Sequence, residues 1–203
     1  MTISYPLELP TLVDTGGIAS LTILPEFVQG RNTNQFTNQE QIYDYTAERW
    51  NLSMTYSGLT MENARIVIAF LLSLRGAVGT FMAGDKLMAS PTGVIAGTPL
   101  VNGGGQTGRT LNVKGLTASS TVKAGNYFQI GNFLYVNLKD AIANGSGNAT
   151  LDIFPFIRGT PADNAALVFS NAKNIFRLSE GSISWSVGDD RIYRIGFTAV
   201  EAR

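Results

Sequence analysis

The chain has 203 residues, of which 44% are hydrophobic and 15% are charged, and its 15 basic and 15 acidic side chains cancel. It contains no cysteine and no histidine. Disulfides, Cys- or His-ligated metal sites, Ser-His-Asp and Cys-His catalysis and histidine-based pH switches are therefore excluded, whereas Ser-Lys, carboxylate and Mg²⁺ chemistry stay open. The balanced charge, without a Lys or Arg cluster, argues against sequence-specific nucleic-acid binding and favours association between protein molecules.

The N-terminal region predicts short elements and an exposed loop. The first ten residues contain Glu8 and two prolines but no basic start, so no signal peptide is predicted, and we expect synthesis without export. Ile3 to Phe27 predicts two short strands separated by Thr15-Gly16-Gly17. The stretch from Gly30 to Gln41 is rich in Asn and Gln and predicts a long exposed loop.

A half-buried strand is predicted next. Apolar and polar residues alternate from Trp50 to Tyr56, which is the period of a strand with one buried face. Ser57-Gly58 predicts its end. Gly79-Thr80-Phe81, further on, leads into another short strand.

Between these strands the sequence predicts one helix, over residues 60–75. Thr60 is a good N-cap, Arg75 suits the last turn, and Gly76 suits a left-handed cap. The segment from Ile66 to Leu74 is apolar nearly all round, which predicts burial on both sides. Its apolar run, Ile66 to Leu72, is too short to span a membrane.

The region from Gly84 to about Ala172 is rich in glycine and shows no helical pattern. Gly131-Asn132 lies between two strand-like runs, Tyr127 to Ile130 and Phe133 to Leu138, and predicts a hairpin. Asn144 to Asn148 predicts another turn, which leads into a strand. About five short strands indicate a small barrel or sandwich.

A second hairpin ends the chain. Ile183 to Val187 and Tyr193 to Ala199 alternate like the Trp50 strand, and Gly188-Asp189-Asp190 joins them. We therefore predict a mainly β protein with one principal helix and a discontinuous first domain. That domain comprises residues 1–84 plus 176–203, and residues 85–175 form an inserted small β-barrel.

A glycine-rich stretch, Gly103 to Thr110, has the spacing of a phosphate-binding loop, except that Arg109 replaces the usual lysine. Such a loop needs a helix to begin at its last residues, so that backbone N–H groups converge on phosphate. Thr110 to Val113 instead predicts a strand. The sequence favours a flexible loop over a nucleotide site.

Isolated carboxylates and aromatic side chains are the other candidates for chemistry. Asp189-Asp190, Asp140, Asp152 and Asp163 are candidate cation ligands, although adjacent carboxylates after glycine are more typical of a turn. Tyr127, Phe128, Phe133 and Tyr135 could form a stacking platform, with half of them expected in the core. We predict no catalytic, cofactor-binding or metal-binding residues.

The order of these elements resembles the distal tail proteins of long-tailed, non-contractile bacteriophages, over most of the chain. The matching residues are Gln41-Ile42-Tyr43, Ala47 to Tyr56, the helix ending on Leu74-Arg75-Gly76, Gly79-Thr80-Phe81, Lys123 to Ile130, Gly147 to Leu151 and Pro155 to Arg158. Asn126 stands where the family pattern usually has aspartate.

This resemblance implies a structural virion protein of a phage tail tip, made in the cytoplasm of the bacterial host. The first domain, a ring-forming β-sandwich or barrel, would assemble as a homo-hexamer around a channel for DNA, and the inserted barrel would be OB-like and peripheral. The implied partners are the tail tube protein and the baseplate hub or tip protein, with the tape measure protein as a further candidate. The family has no catalytic residues to carry over.

Three alternatives stay open at this point. The first is another ring-forming tail component, such as a tube or terminator subunit. The second is a carbohydrate-binding module that recognises a host-surface glycan through Tyr127 and Tyr135. The third is a nucleotide-binding enzyme that uses Gly103 to Thr110.

Overall fold

A computed structural model describes residues 3–13, 17–86, 88–179 and 183–203. Within these ranges the chain forms fifteen strands and one helix, which confirms a mainly β fold with one principal helix. The elements, in chain order, are β1 (Leu7–Glu8), β2 (Gly17–Thr33), β3 (Glu40–Leu59), α1 (Met61–Ser73), β4 (Thr80–Ala83), β5 (Gly97–Val101), β6 (Thr110–Leu116), β7 (Thr121–Val122), β8 (Tyr127–Ile130), β9 (Phe133–Asn137), β10 (Ala141–Ile142), β11 (Ala149–Phe154), β12 (Leu167–Val168), β13 (Asn174–Leu178), β14 (Ser184–Val187) and β15 (Tyr193–Glu201).

The first and last parts of the chain share one large sheet. Its strand order is β1-β4-β13-β15-β3-β2, and β14 also pairs with β15. β1 and β4 are parallel, and the other pairs are antiparallel. β13 and β14 pair with different ends of β15, which are 199–201 and 193–196 respectively. The predicted C-terminal hairpin is therefore confirmed, and it pairs with the Trp50 strand.

The alternation in β3 produces the core face of this sheet. Trp50, Leu52, Met54 and Tyr56 are all buried, as predicted, while the residues between them are half-buried. The strand does not end at Ser57-Gly58, however, because it continues to Leu59. Gly58 accommodates this with a positive φ of 70°, which glycine adopts without a steric penalty.

Helix α1 packs against the core face through Val67, Leu71 and the following Leu74. Its predicted N-cap is confirmed, since Thr60 Oγ1 accepts a hydrogen bond from Asn63 N at 3.4 Å. The helix ends two residues before the predicted limit, so Arg75 lies outside the last turn, with a φ of 51°.

Within the single chain the sheet covers one side of the helix, so burial of its other side, which we expect from a second packing partner such as a neighbouring subunit, stays a prediction. Leu72 is 58% exposed, and Met61 is also exposed. The apolar residues of α1 exceed what one sheet can cover.

The middle of the chain forms a nearly closed barrel with strand order β12-β8-β9-β11-β6-β5. A bridge between Leu100 and Ala166 brings the two ends of this order together. The predicted hairpin at Gly131-Asn132 is confirmed, because Ile130 pairs with Phe133. The barrel surrounds its own buried cluster of side chains, and β7 and β10 form a small separate sheet. The domain boundaries and the OB-like identity of this barrel stay predictions.

The N-terminal region differs from its prediction. Instead of two short strands, it contains the two-residue β1 and the 17-residue β2. The predicted break at Thr15-Gly16 lies outside the described residues. β2 starts at Gly17 and continues past Phe27, because nearly its whole length pairs with β3.

Candidate assembly surface

β2 and β3 extend beyond the sheet as a two-stranded hairpin, which we call the arm (residues 28–45). Pairing runs out to Thr33 opposite Glu40, so the predicted loop from Gly30 to Gln41 is wrong and only residues 34–39 turn. The Asn- and Gln-rich sequence predicted a loop because neither face of the arm is buried. Backbone pairing holds such strands without the apolar alternation that marks a half-buried strand.

The tip of the arm is an ordered turn that presents one aromatic ring. Asn34 Oδ1 accepts hydrogen bonds from Phe36 N at 2.9 Å and Thr37 N at 3.3 Å. Asn34 N donates to Gln39 O at 2.9 Å. Asparagine commonly fixes turns in this way. The turn leaves Phe36 97% exposed, the most exposed of the large hydrophobic residues described.

The outer edge of β2 pairs with no other strand in the described part of the chain. Long edge strands with apolar side chains are templates for pairing with another chain, and proteins usually shorten or charge them. β2 and the facing part of β3 instead expose a row of large apolar side chains. These are Leu24, Phe27, Val28, Ile42, Tyr43 and Tyr45.

Only the middle of the β2 edge has features that discourage pairing with another strand. Pro25 removes one backbone donor, which suits an edge strand. Glu26 next to it binds Arg49 at 2.7 Å and Asn51 at 2.7 Å, and these hydrogen bonds, led by that of Arg49, lower the pKa of the Glu26 carboxyl. The charge of Glu26 is therefore neutralised within the sheet and does little to repel a second strand.

β14 provides a second free edge, across β3 and β15 from β2. All four of its residues are exposed, including Trp185 at 51% and Val187. The sheet therefore ends on both sides in strands with apolar side chains open to contact.

The outer face of the same sheet has hydroxyl side chains at its centre and charged side chains beside them, namely Glu26 with Arg49 and, on β15, Arg194. Residues that pair across strands point to the same face, and one row consists of Thr22, Ser53 and Thr198. A second row contains Ser20, Thr55 and Ser184, with Gly196 between the last two. These side chains are exposed or half-buried, so the face is open and lined by hydroxyl groups.

A buried ionic cluster, which we call the junction, joins the large sheet to the barrel. Arg158 Nε donates to Glu201 Oε1 at 2.6 Å, and the two side chains are only 4% and 1% exposed. Glu201 Oε2 also accepts from Trp50 N at 2.9 Å. Arg158 and Arg203 both donate to the main-chain carbonyl of Glu48. Burial, followed by the charge of Arg158, lowers the pKa of Arg203.

The Glu48 side chain extends the junction toward the surface. Its Oε1 accepts from Arg109 Nε at 3.0 Å, and its Oε2 accepts from Phe156 N at 2.9 Å. Arg109 also binds Asp44 at 2.7 Å. Each carboxylate oxygen of Glu48 and Glu201 accepts a hydrogen bond from within the chain, which is the arrangement of a structural ion-pair network.

Trp50 connects the two cores directly. Its indole Nε1 donates to Leu134 O of β9 at 3.0 Å, and its ring meets Phe154 edge-on with centroids 4.9 Å apart. Sequence reasoning identified Trp50 as a core residue but missed this role. It also missed the pairing of Arg158 with Glu201, because no local pattern relates residues so far apart.

Next to the junction, a groove of about 640 Å³ separates the base of the arm from the barrel. Its walls are mainly apolar and aromatic, with Phe27, Trp50, Tyr127, Leu138 and Phe154 among them. The rings of Phe27 and Phe154 lie 5.1 Å apart. Glu48 and Arg109, paired with each other, are the charged residues of the lining.

The glycine-rich stretch does not have the geometry of a phosphate-binding loop. It joins β5 to β6, and within the described range 88–179 no helix follows it. Gln106 closes the loop by donating to the carbonyls of Asn102 and Gly103 and accepting from Asn112 N. Arg109, which stands where such a loop has its phosphate-binding lysine, is bound to the carboxylates of Asp44 and Glu48.

The candidate carboxylates lie apart and have protein partners or a turn role. Asp140 binds Lys123 and Asp163 binds Lys114, each at 2.7 Å, and these lysines are the main cause of the lowered pKa of each carboxyl. Asp190 accepts from Ile192 N within the predicted turn, and Asp152 is exposed on β11. Across the described residues, no three acidic, His or Cys side chains converge on a metal position.

The aromatic platform is also absent from the barrel surface. Phe128 and Tyr135 are buried and stack on each other with centroids 5.5 Å apart, while Tyr127 and Phe133 are half-buried. Tyr135 OH accepts from Arg158 N, and burial raises the pKa of Tyr135. The expectation that half of these residues belong to the core is confirmed, but Tyr135 cannot stack on a glycan.

Comparison with known proteins assigns the chain to no family. No family model matches the chain, and no curated protein matches it. None of the helices in the described residues is long and apolar enough to cross a membrane.

Proposed function

We propose that this protein is a structural subunit of a phage tail tip. It assembles head-to-tail into a hexameric ring around a channel for DNA, and it connects the tail tube to the baseplate hub or tip protein. The observation that carries this proposal is the unpaired outer edge of β2, 17 residues long and continued by the apolar arm. A monomer gains nothing from such an edge and risks aggregation through it.

The free edges of β2 and β14 support a ring in particular. β2 and β14 lie on opposite sides of β3 and β15, so β2 of one copy can pair with β14 of the next. Such a contact joins two different surfaces, and a heterologous contact forms a closed ring whenever its rotation closes. Backbone hydrogen bonds would provide the affinity and the apolar side chains the specificity.

The dimensions agree with a channel of useful width. If each of six subunits contributes the four strands β14, β15, β3 and β2, spaced about 4.8 Å apart, the circumference of the wall is about 115 Å. The diameter measured between backbones is then about 37 Å. Side chains on the inside leave an opening on the order of 25 Å, which admits a DNA duplex.

The hydroxyl face is the surface we assign to the channel. Thr22, Ser53 and Thr198 carry no charge, and Arg49 on the same face is paired with Glu26. This face therefore offers few free cations, Arg194 among them, that could hold a passing polyanion by salt-dependent phosphate contacts. The opposite face of the sheet is covered by α1 and cannot line an opening.

Native mass spectrometry and negative-stain microscopy of the purified chain test the proposal. We expect hexamers and rings, and we expect Leu24→Lys to give monomers because it places an uncompensated charge beside the β2 edge. Val94→Lys, at an exposed position outside this sheet, is the control. A strictly monomeric protein at high concentration, with no ring in the assembled tail, would refute the proposal. Cryo-EM of the tail separates a single ring from the stacked rings of a tube subunit.

A further inference from the structure

We infer that Phe36 at the tip of the arm inserts into the aromatic groove of a neighbouring copy of this chain. The inference rests on the proposed ring and names the contact that locks its subunits together. Phe36 is 97% exposed on a turn held by Asn34, so the ring is presented in a fixed position. A phenyl ring kept so far from the core is poorly explained by folding of its own chain.

The groove of the same molecule is out of reach. Phe27 lines the groove and belongs to the strand that ends in the arm. The six extended steps from Phe27 to Thr33, at about 3.3 Å per residue, already place the start of the tip turn roughly 20 Å away. Pairing with β3 keeps this segment extended through Thr33, so the arm cannot fold back on its base. The occupant must therefore come from another molecule.

The groove has the chemistry of a phenyl acceptor. Trp50 and Phe154 already meet edge-on at 4.9 Å, and Phe27 adds a third ring beside Phe154. Aromatic rings favour such edge-to-face and offset contacts. A volume of about 640 Å³ has room for a phenyl ring together with part of the turn that carries it.

The charges of the two surfaces are compatible with docking. Residues 32–39 of the arm contain only neutral side chains. The charged residues of the groove, Glu48 and Arg109, are bound to each other. Burying the tip in the groove consequently leaves no charge unpaired, whereas an unpaired buried charge would oppose association strongly.

The buried area also favours a second copy as the occupant. Below the tip, the arm presents Val28, Ile42, Tyr43 and Tyr45, each at least 44% exposed. Because successive strand residues face opposite sides, Phe36 and one face of the arm offer roughly 300–400 Å² of apolar surface, and the proposed β2–β14 pairing adds to it toward the roughly 800 Å² per partner of a stable protein interface. Because the arm and the groove are different surfaces of one chain, every copy can donate one tip and accept another.

Disulfide cross-linking tests the contact, since the natural chain has no cysteine. Full-length Phe36→Cys protein is mixed with Leu138→Cys protein, oxidised, and analysed by non-reducing electrophoresis and peptide mass spectrometry. We expect a disulfide between the two variants. Phe36→Cys mixed with Ile142→Cys is the control, because Ile142 is at least as exposed as Leu138 but does not line the groove.

Affinity provides a second readout. Phe36→Ala should raise the dissociation constant between subunits about 10- to 100-fold, the loss expected for one buried aromatic side chain. Val94→Ala should leave it unchanged. Rings that form without the Phe36–Leu138 disulfide and with unchanged affinity would overturn the inference while leaving the ring proposal intact. A chain that never associates would overturn both.

Discussion

Replacing Arg158 by methionine should destabilise the protein by removing the cation at the centre of the junction. Arg158 and Glu201 are 4% and 1% exposed, and methionine keeps most of the side-chain volume while deleting the charge. Glu201 would then lose its nearest cation while its side chain stays buried. The variant isolates the ion pair from the packing around it.

The expected loss is about 3–5 kcal/mol of unfolding free energy, the range for breaking one side of a buried pair. We expect the lower end, because Trp50 N still donates to Glu201 and Arg203 lies 3.8 Å from it. For a chain of this size the melting temperature should fall by roughly 6–20 °C. Native proteins are typically stable by about 5–15 kcal/mol, so this loss would be a large fraction of the total free energy of unfolding.

Tryptophan fluorescence during urea unfolding is the assay. The chain has two tryptophans, and Trp185→Phe leaves Trp50 at the junction as the single reporter. In that background Arg158→Met is compared with Arg31→Met, whose side chain is 65% exposed beside Glu40. The exposed pair should contribute less than about 1 kcal/mol.

A double substitution separates loss of the pair from general damage. Arg158→Met combined with Glu201→Gln removes both charges, while glutamine can still accept the hydrogen bond of Trp50 N. The double variant should be more stable than the sum of the two single losses predicts. An Arg158→Met loss below 1 kcal/mol, or strict additivity of the two changes, would refute the structural role of the junction.

Three further predictions concern other sites. Thr60→Ala should cost about 1 kcal/mol in thermal unfolding, since it deletes the N-cap of α1, and no loss would contradict the cap. Burial raises the pKa of Tyr56 from 10.0 to about 12. The contribution of the neutral phenol to the free energy of unfolding is therefore complete below pH 10 and is lost as the pH rises to 12. Phenolate absorbance should show this late titration, and Tyr56→Phe should abolish it. Gly115→Ala should lower the free energy of unfolding by about 1–3 kcal/mol more than Gly103→Ala in the same thermal assay. Both residues have positive φ, but only at Gly115 would the added Cβ lie 2.2 Å from Thr98 O. Equal losses would contradict this clash.

Elements with a local signal could be predicted from the sequence. The alternation around Trp50, the N-cap at Thr60 and the Gly131-Asn132 turn each depend on neighbouring residues, and all three are confirmed. The extension of β3 through Gly58 could not be predicted, since glycine signals a break as readily as a positive φ within a strand.

The junction and the arm were beyond sequence reasoning for different reasons. Glu201 meets Arg158 across 43 residues and Trp50 across 151, and no periodicity links positions so distant. The arm has no buried face, so its strands show no apolar alternation from Gly30 to Gln41. Pairing of the backbone, which every sequence except proline permits, defines these strands.

Curvature decides whether two complementary sheet edges form a ring or an endless fibre. A flat sheet that pairs β2 with β14 would add copies without limit, which is the hazard of open heterologous contacts. The pairing of β2 with β3 shifts register between Ile18 and Ser20 and again between Val28 and Gln29, and the pairing of β15 with β3 shifts between Tyr193 and Ile195. Bulges of this kind bend strands and increase their twist. In the proposed ring, such bends would rotate each subunit relative to the next, so these irregularities favour closure over an open fibre.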